Sequence, residues 1–255
     1  MGGSPVGVGA EVGRVAGLWR YPVKSMAPER VPGADVSWHG VSGDRRWAFI
    51  RERGQASGFP WLTIRDRPDM VHYRPRFVDA ERPDRSPVVV TTPTGAELAV
   101  TDPALAAELG GGDGDGVRAV KLDRGTFDTL PLSLITTGTV AGLEALTGRA
   151  LDVRRFRPNL VIDAHDDGGP FPEEGWVGCT LQLGDAVVRV DGRDQRCIVV
   201  NVDPATAQAD PIVLGTIARS RQTRLGVYAT TVRPGRVAVG DPVVVAGAQA
   251  SGART

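Results

Sequence analysis

Short apolar runs separated by turn residues dominate the chain. Residues 14–23 (RVAGLWRYPV), 45–52 (RRWAFIRE), 86–92 (SPVVVTT), 96–102 (AELAVTD), 117–123 (VRAVKLD) and 158–164 (PNLVIDA) are rich in Val, Ile and Leu. So are 180–190 (TLQLGDAVVRV), 196–203 (RCIVVNVD) and 235–246 (GRVAVGDPVVVA). Each is bounded by Gly, Pro or Asp, which is how strands read in sequence. Gly184-Asp185 divides one run as a hairpin turn does, and Pro242 fits the start of a strand or an edge. Helical signals are fewer. Residues 102–110 (DPALAAELG) have an Asp cap, Pro in the first turn and Gly at the end. Residues 136–148 place Val140, Leu143 and Leu146 at spacing three, with Thr137 as cap and Gly148 as stop. Residues 210–219 (DPIVLGTIAR) are a weaker third. The predicted fold is mainly β, of the barrel type, with a few short helices.

Length adds a domain count. The 255 residues suffice for one large or two small domains. The flexible run Gly110–Gly116 marks the expected boundary, and the first ten residues and those after Ala246 are expected to fray. Thirty acidic and thirty basic residues balance, which argues against a general nucleic-acid binder. Lys24 and Lys121 are the only lysines among many arginines, a bias expected of a GC-rich genome. No stretch approaches the roughly 20 apolar residues that span a bilayer, and the N-terminus lacks the pattern of a leader peptide. Two cysteines make no disulfide framework. The expected setting is the reducing cytoplasm, with no membrane and no nucleic acid as partners.

Common catalytic constellations are missing: no CxxC, HExxH, Walker loop or GxGxxG after a strand. His39, His72 and His165 are scattered, and residues 163–169 (DAHDDGG) read as a polar loop or a metal site. Cys197 differs. It follows Arg193 and Arg196 at the edge of an apolar run, where a cation favours the thiolate. A strand starting at Cys197 would put the thiol at a barrel mouth, where ligand sites tend to lie. The alternative is a small buried hydrophobe, the role expected for Cys179. Three further clusters carry polar groups at strand ends. Residues 18–31 (LWRYPVKSMAPERV) offer Lys24 and Ser25 to a phosphate or polar ring, 43–50 (GDRRWAFI) carry arginines, and 155–163 (RFRPNLVID) flank a proline with Arg157 and Asn159.

In this order, LWRYPVKS, GDRRWAFI, FRPNLVI and RCIVVNVDP, followed by GDPVVV, resemble the MOSC family of molybdenum-cofactor proteins. The likeness is to the amidoxime-reducing type and runs from about Val12 to Val245. It implies an N-terminal β-barrel domain at 11–115 and a MOSC domain at 117–248. It implies molybdenum–molybdopterin as cofactor, with no pyridoxal phosphate. Cys197 would ligate the metal, and Lys24, Ser25, Arg45, Thr136, Thr137, Arg157, Asn159 and Arg196 would contact the cofactor. Asp203 would relay protons, and Asn201 would lie beside the metal: Val200-Asn201 stand where that type has two threonines. The implied activity is a molybdenum-dependent oxidoreductase that abstracts oxygen from N-hydroxylated small molecules. Lacking flavin, haem and iron–sulfur motifs, the chain would draw electrons from an external carrier protein and its reductase. Arginines between Arg45 and Arg85 would suit an acidic partner. The alternative is a non-enzymatic carrier or store of the cofactor.

Overall fold

The computed structural model describes residues 8–52, 59–111, 116–165 and 169–248. Sixteen strands and three α-helices are described. In the first half these are β1 (Glu11–Arg20), β2 (Glu29–Arg30), β3 (Gly33–Ser37), β4 (Gly40–Val41), β5 (Trp47–Arg51), β6 (Arg74–Phe77), β7 (Val88–Thr91), β8 (Glu97–Ala99), α1 (Pro103–Gly110) and β9 (Val117–Lys121). The second half contributes β10 (Leu132–Thr136), α2 (Thr137–Thr147), β11 (Leu160–Ala164), β12 (Cys179–Leu183), β13 (Ala186–Gln195), α3 (Pro211–Arg221), β14 (Arg224–Arg233), β15 (Gly235–Ala238) and β16 (Pro242–Ala248).

Seven strands close a barrel in the order β11-β10-β14-β13-β12-β16-β1, and β1 pairs back onto β11. All seams are antiparallel except β10–β11. The alternation of each strand sends Val15, Leu18, Leu134, Ile162, Leu181, Val188, Val190, Val227, Val243 and Val245 into one core. Gly13 sits where two seams meet. Its φ is +156°, and a Cβ there would lie 2.3 Å from the Asp163 carbonyl oxygen. Helices α2 and α3 cover the outside through Leu143, Val213 and Ile217, which pack on Ile135, Val161 and Leu225.

β5 to β9 and α1 build a smaller β module, whereas β3 and β4 form a sheet with β15 and add Ala34, Val36 and Val41 to the barrel core. β5 pairs with β9, and β6-β7-β8 form a three-stranded sheet. They share a core of Val23, Met26, Phe49, Met70, Tyr73, Phe77, Val88, Leu105 and Leu109. The chain is therefore mainly β with a few helices, as its apolar runs predict, and holds a closed barrel and a second β module. β1 is not confined to that module: it is one stave of the main barrel.

Three expectations change. The run 196–203 is not a strand; Ile198–Asn201 form a 3-10 turn closed by Val200 N–H on the Cys197 carbonyl at 3.1 Å. The cause is the loss of a partner, because β13 pairs with β14 only as far as Gln195↔Arg224. β10 and β14 are strands that the apolar runs did not single out. At α2 the capping oxygen belongs to Thr136, which accepts from Thr139 N–H at 3.1 Å; Thr137 instead donates to Asp163 at 2.8 Å. Part of the expected boundary (112–115), part of the DAHDDGG run (166–168) and the ends (1–7 and 249–255) lie outside the described residues.

Candidate functional site

A cleft holding about 800 Å³ of empty space, including its solvent-open mouth, lies where both halves of the chain meet. The smaller module supplies Lys24, Ser25, Arg45, Thr63 and Arg65; the barrel side supplies Asp128, Ser133, Arg155, Arg157, Asn159, Asp194, Arg196, Cys197 and Tyr228. Six of these are cationic side chains and two are carboxylates, so the cleft attracts anions.

The cationic wall is rigid. Ser25, Arg45 and Arg157 hold φ of 69°, 51° and 49°, a region non-glycine residues occupy only when their surroundings enforce it. Arg45 and Arg157 lie over the Tyr21 ring at 4.5 and 4.3 Å. Arg45 pairs with the fully buried Asp44 and donates from Nη2 to the Arg157 carbonyl at 3.0 Å, while Arg157 Nη1 donates to the Met26 carbonyl at 2.9 Å. Asp44 in turn accepts from Tyr21 N–H at 2.7 Å. Burial pulls Arg157 down to about 10. It acts on Arg45 too, but Asp44 outweighs it and holds Arg45 above the usual range. Lys24 Nζ donates to Asp128 at 2.5 Å and to the Thr126 carbonyl at 3.0 Å. Burial lowers the lysine despite that pair. Burial also opposes ionisation of Asp128, yet Lys24 and Arg65 hold its carboxyl below the usual range.

Cys197 follows β13 and is half-buried. Arg65 Nη2 donates to its Sγ at 3.3 Å. Arg196 faces inward: Nε donates to the Leu225 carbonyl at 2.7 Å, and Nη1 to the Phe156 carbonyl at 2.8 Å and to Asp194 Oδ2 at 2.9 Å. Asp194 is 1% exposed and also accepts from the Ser133 hydroxyl at 2.9 Å. Burial raises its carboxyl, and burial with Asp194 pushes the Tyr228 phenol up to about 12.

The cleft thus gathers Lys24, Ser25, Arg45, Arg157, Asn159, Arg196 and Cys197 from the residues singled out by sequence. Asn159 is there through its backbone ties: Oδ1 accepts from Ser133 N–H at 3.2 Å, and Nδ2 donates to the Trp19 carbonyl at 3.3 Å. Four others do not line the cleft. Thr136 is buried on Glu173, and Thr137 is exposed on Asp163. Asn201 Oδ1 accepts from Leu214 N–H in the first turn of α3 at 2.8 Å. Asp203 is held by Ala205 N–H at 2.8 Å, Thr206 N–H at 3.1 Å and Arg155 Nη2 at 2.5 Å. Cys179 packs in the barrel core, where burial raises its thiol. His165 reaches Glu11 at 3.8 Å, and the described residues hold no cluster of three or more His, Cys, Asp or Glu. Sequence reasoning missed Arg65, Asp128, Arg155, Asp194 and Tyr228; only the Asp-Arg alternation of 191–196 hinted at one of them.

The donor set fits a molybdenum–pterin group. Arg157 Nη2 and Arg196 Nη2 are buried with no partner, so the walls hold unused N–H donors for a ligand rich in oxygen and nitrogen. The thiol beside them is a soft metal ligand. No helix among the described residues is long and apolar enough to cross a membrane.

Comparisons with known proteins give the family and the fold. The MOSC N-terminal beta barrel domain matches residues 12–111, and the MOSC domain matches 121–244. A molybdenum cofactor sulfurase of Drosophila grimshawi is 29% identical over 88% of this chain and 34% of its own length. The chain therefore spans about a third of that relative. The mitochondrial amidoxime reducing component 2 of Homo sapiens is 25% identical over 91% of this chain and 83% of its own. Among solved structures, the YUAD protein of Bacillus subtilis superposes with a TM-score of 0.50 at 13% identity, covering 91% of this chain and 94% of that one. That likeness is one of fold.

Proposed function

The chain belongs to the MOSC family, and from that premise we propose that it is a molybdenum-cofactor-dependent oxidoreductase acting on N-hydroxylated small molecules. One observation carries the reading. The half-buried thiol of Cys197 shares a basic cleft with buried guanidinium N–H groups that lack partners. A relative named mitochondrial amidoxime reducing component supports the substrate class.

Lys24, Ser25, Arg45 and Arg157 would hold the anionic end of the cofactor, Asn159 and Arg196 would frame the ring, and Cys197 would bind the metal. The cofactor supplies two-electron chemistry that cleaves an N–O bond. The balance is R–NHOH plus two electrons and two protons giving R–NH2 and water. The electrons come from an external carrier protein and its reductase. The chain's own residues do the rest. The buried cationic wall fixes the ligand with little reorganisation. Tyr228, raised to about 12, keeps its proton at neutral pH and shares it with Asp194 in the cleft wall. Asp203, tied to Arg155 and two backbone N–H groups, shapes the turn after Asn201.

Molybdenum content per chain tests this, measured by elemental mass spectrometry on protein from a host that makes the cofactor. Wild type should carry near one metal per chain, and Cys197→Ser should lose it. Metal-free wild type refutes the reading. Relatives named molybdenum cofactor sulfurase favour a second reading, a handler of the cofactor. Turnover of an N-hydroxy substrate with reduced viologen separates the two, since a carrier binds the cofactor and turns over nothing.

A further inference from the structure

Arg65 belongs to the smaller module, yet its guanidinium lies on the sulfur of Cys197, 132 positions along the chain. The turn that presents it is built for rigidity. Asp66 Oδ2 accepts from Thr63 N–H and from the Thr63 hydroxyl, both at 3.0 Å, and Arg65 N–H donates to Thr63 Oγ1 at 3.2 Å. Arg51 Nη1 pins the other oxygen of Asp66 at 2.8 Å. The guanidinium is flanked by the Phe59 ring at 5.5 Å and by Asp128 Oδ2 at 3.9 Å. A side chain 35% exposed, held on several sides and aimed at a thiol, is poorly explained as a solvated surface arginine.

We propose that Arg65 is a positioning residue for Cys197, holding its sulfur by an N–H···S hydrogen bond and drawing electron density from it when it serves as a metal ligand. The inference rests on the functional reading above for its second half only. A hydrogen bond to a ligating sulfur fixes the ligand's direction and raises the reduction potential of the metal it binds. In cationic Arg196, the chain neighbour, Nε and Nη1 are committed to Leu225, Phe156 and Asp194, and the sulfur takes its hydrogen bond from Arg65. The smaller module thereby contributes directly to the centre that the barrel carries.

Two readouts test it on the full chain. In metal-free protein, Cys197 is labelled with methanethiosulfonates of equal size, one bearing a sulfonate and one a trimethylammonium, and the site is confirmed by peptide mapping. The ratio of the two rates cancels the thiolate fraction. Wild type should prefer the anionic reagent, Arg65→Gln should cut that ratio several-fold, and Arg65→Lys should fall between. An unchanged ratio in a folded Arg65→Gln chain overturns the contact. In metal-loaded protein, the molybdenum midpoint potential should shift lower in Arg65→Gln and less so in Arg65→Lys. Equal midpoints overturn the electronic role. Wild type without molybdenum overturns the functional reading and the electronic role together, while the labelling ratio still decides the contact.

Discussion

Arg196→Met tests whether the floor of the cleft is held by one buried ion pair. The substitution keeps most of the side-chain volume and removes the charge. Arg196 is 8% exposed and Asp194 1%, so neither is screened by solvent. Two backbone carbonyls lose their donors, and a carboxylate is left buried without its cation. Breaking a buried pair in this way costs about 3–5 kcal/mol. For a chain of this length that is a fall in Tm of roughly 6–20 °C at about 2–4 °C per kcal/mol. The cost depends on pH, with a definite sign. Burial already raises the Asp194 carboxyl, and losing Arg196 raises it further. The folded state then binds a proton that the unfolded state has released, so stability falls as pH rises from the unfolded value, about 3.9, through the folded one. Urea denaturation at pH 5 and pH 8 should show the smaller deficit at the lower pH and the larger at the higher. Adding Asp194→Asn should recover at least half of the loss and remove the pH dependence. A deficit below about 1 kcal/mol at pH 8, or one equal at both pH values, refutes the ion-pair argument.

Gly13→Ala should cost more than about 2 kcal/mol, because its Cβ would meet the Asp163 carbonyl at 2.3 Å and its φ is +156°; a thermal melt within 1 °C of wild type contradicts this. Asp203→Ala should cost about 2 kcal/mol at neutral pH through three lost hydrogen bonds, one from Arg155. Those N–H groups and Arg155 outweigh burial and hold the carboxyl below its usual value, so its contribution is present above the unfolded pKa and vanishes as pH falls through the folded one. The variant's deficit should therefore close in acid, which pH-dependent denaturation measures directly. Asn201→Ala frees Leu214 N–H and should lower stability by about 1 kcal/mol while leaving molybdenum content unchanged; loss of metal would place Asn201 at the centre instead.

Strand periodicity made most of the barrel legible. Val187, Val188 and Val190 stand out in sequence, and so do Val243 and Val245. β14 did not, because Gly226, Tyr228 and two threonines dilute its apolar alternation, although Val227 and Ala229 are fully buried. The run after Cys197 looked like a strand for the opposite reason: β-branched residues suit a ladder, but the β13–β14 pairing ends at Gln195↔Arg224 and the run keeps an isolated bridge, Val202↔Ala209. Four motifs of the cleft were readable as polar groups at strand ends. Arg65 was not, since its significance lies in a contact 132 residues away and the turn that aims it looks like any charged loop. Asp194 and Tyr228 share a buried network that no short spacing announces.

β1 closes the barrel from the wrong end of the chain. Glu11–Arg20 is made first, while its neighbours Leu160–Ala164 and Pro242–Ala248 follow after most of the protein has been synthesised. Until they arrive, β2 covers only Trp19 and Arg20, and the rest of the strand has open edges, the kind of surface on which chains pair with the wrong partner. The loop it must close is long, so the final step is entropically slow. Val23 and Met26, a few residues beyond β1, belong to the small module's core, whose other members all precede residue 120. That core can set early and anchor the waiting strand at one end. Removing everything before residue 120 would therefore take a stave, β1, from the barrel as well as a wall from the cleft.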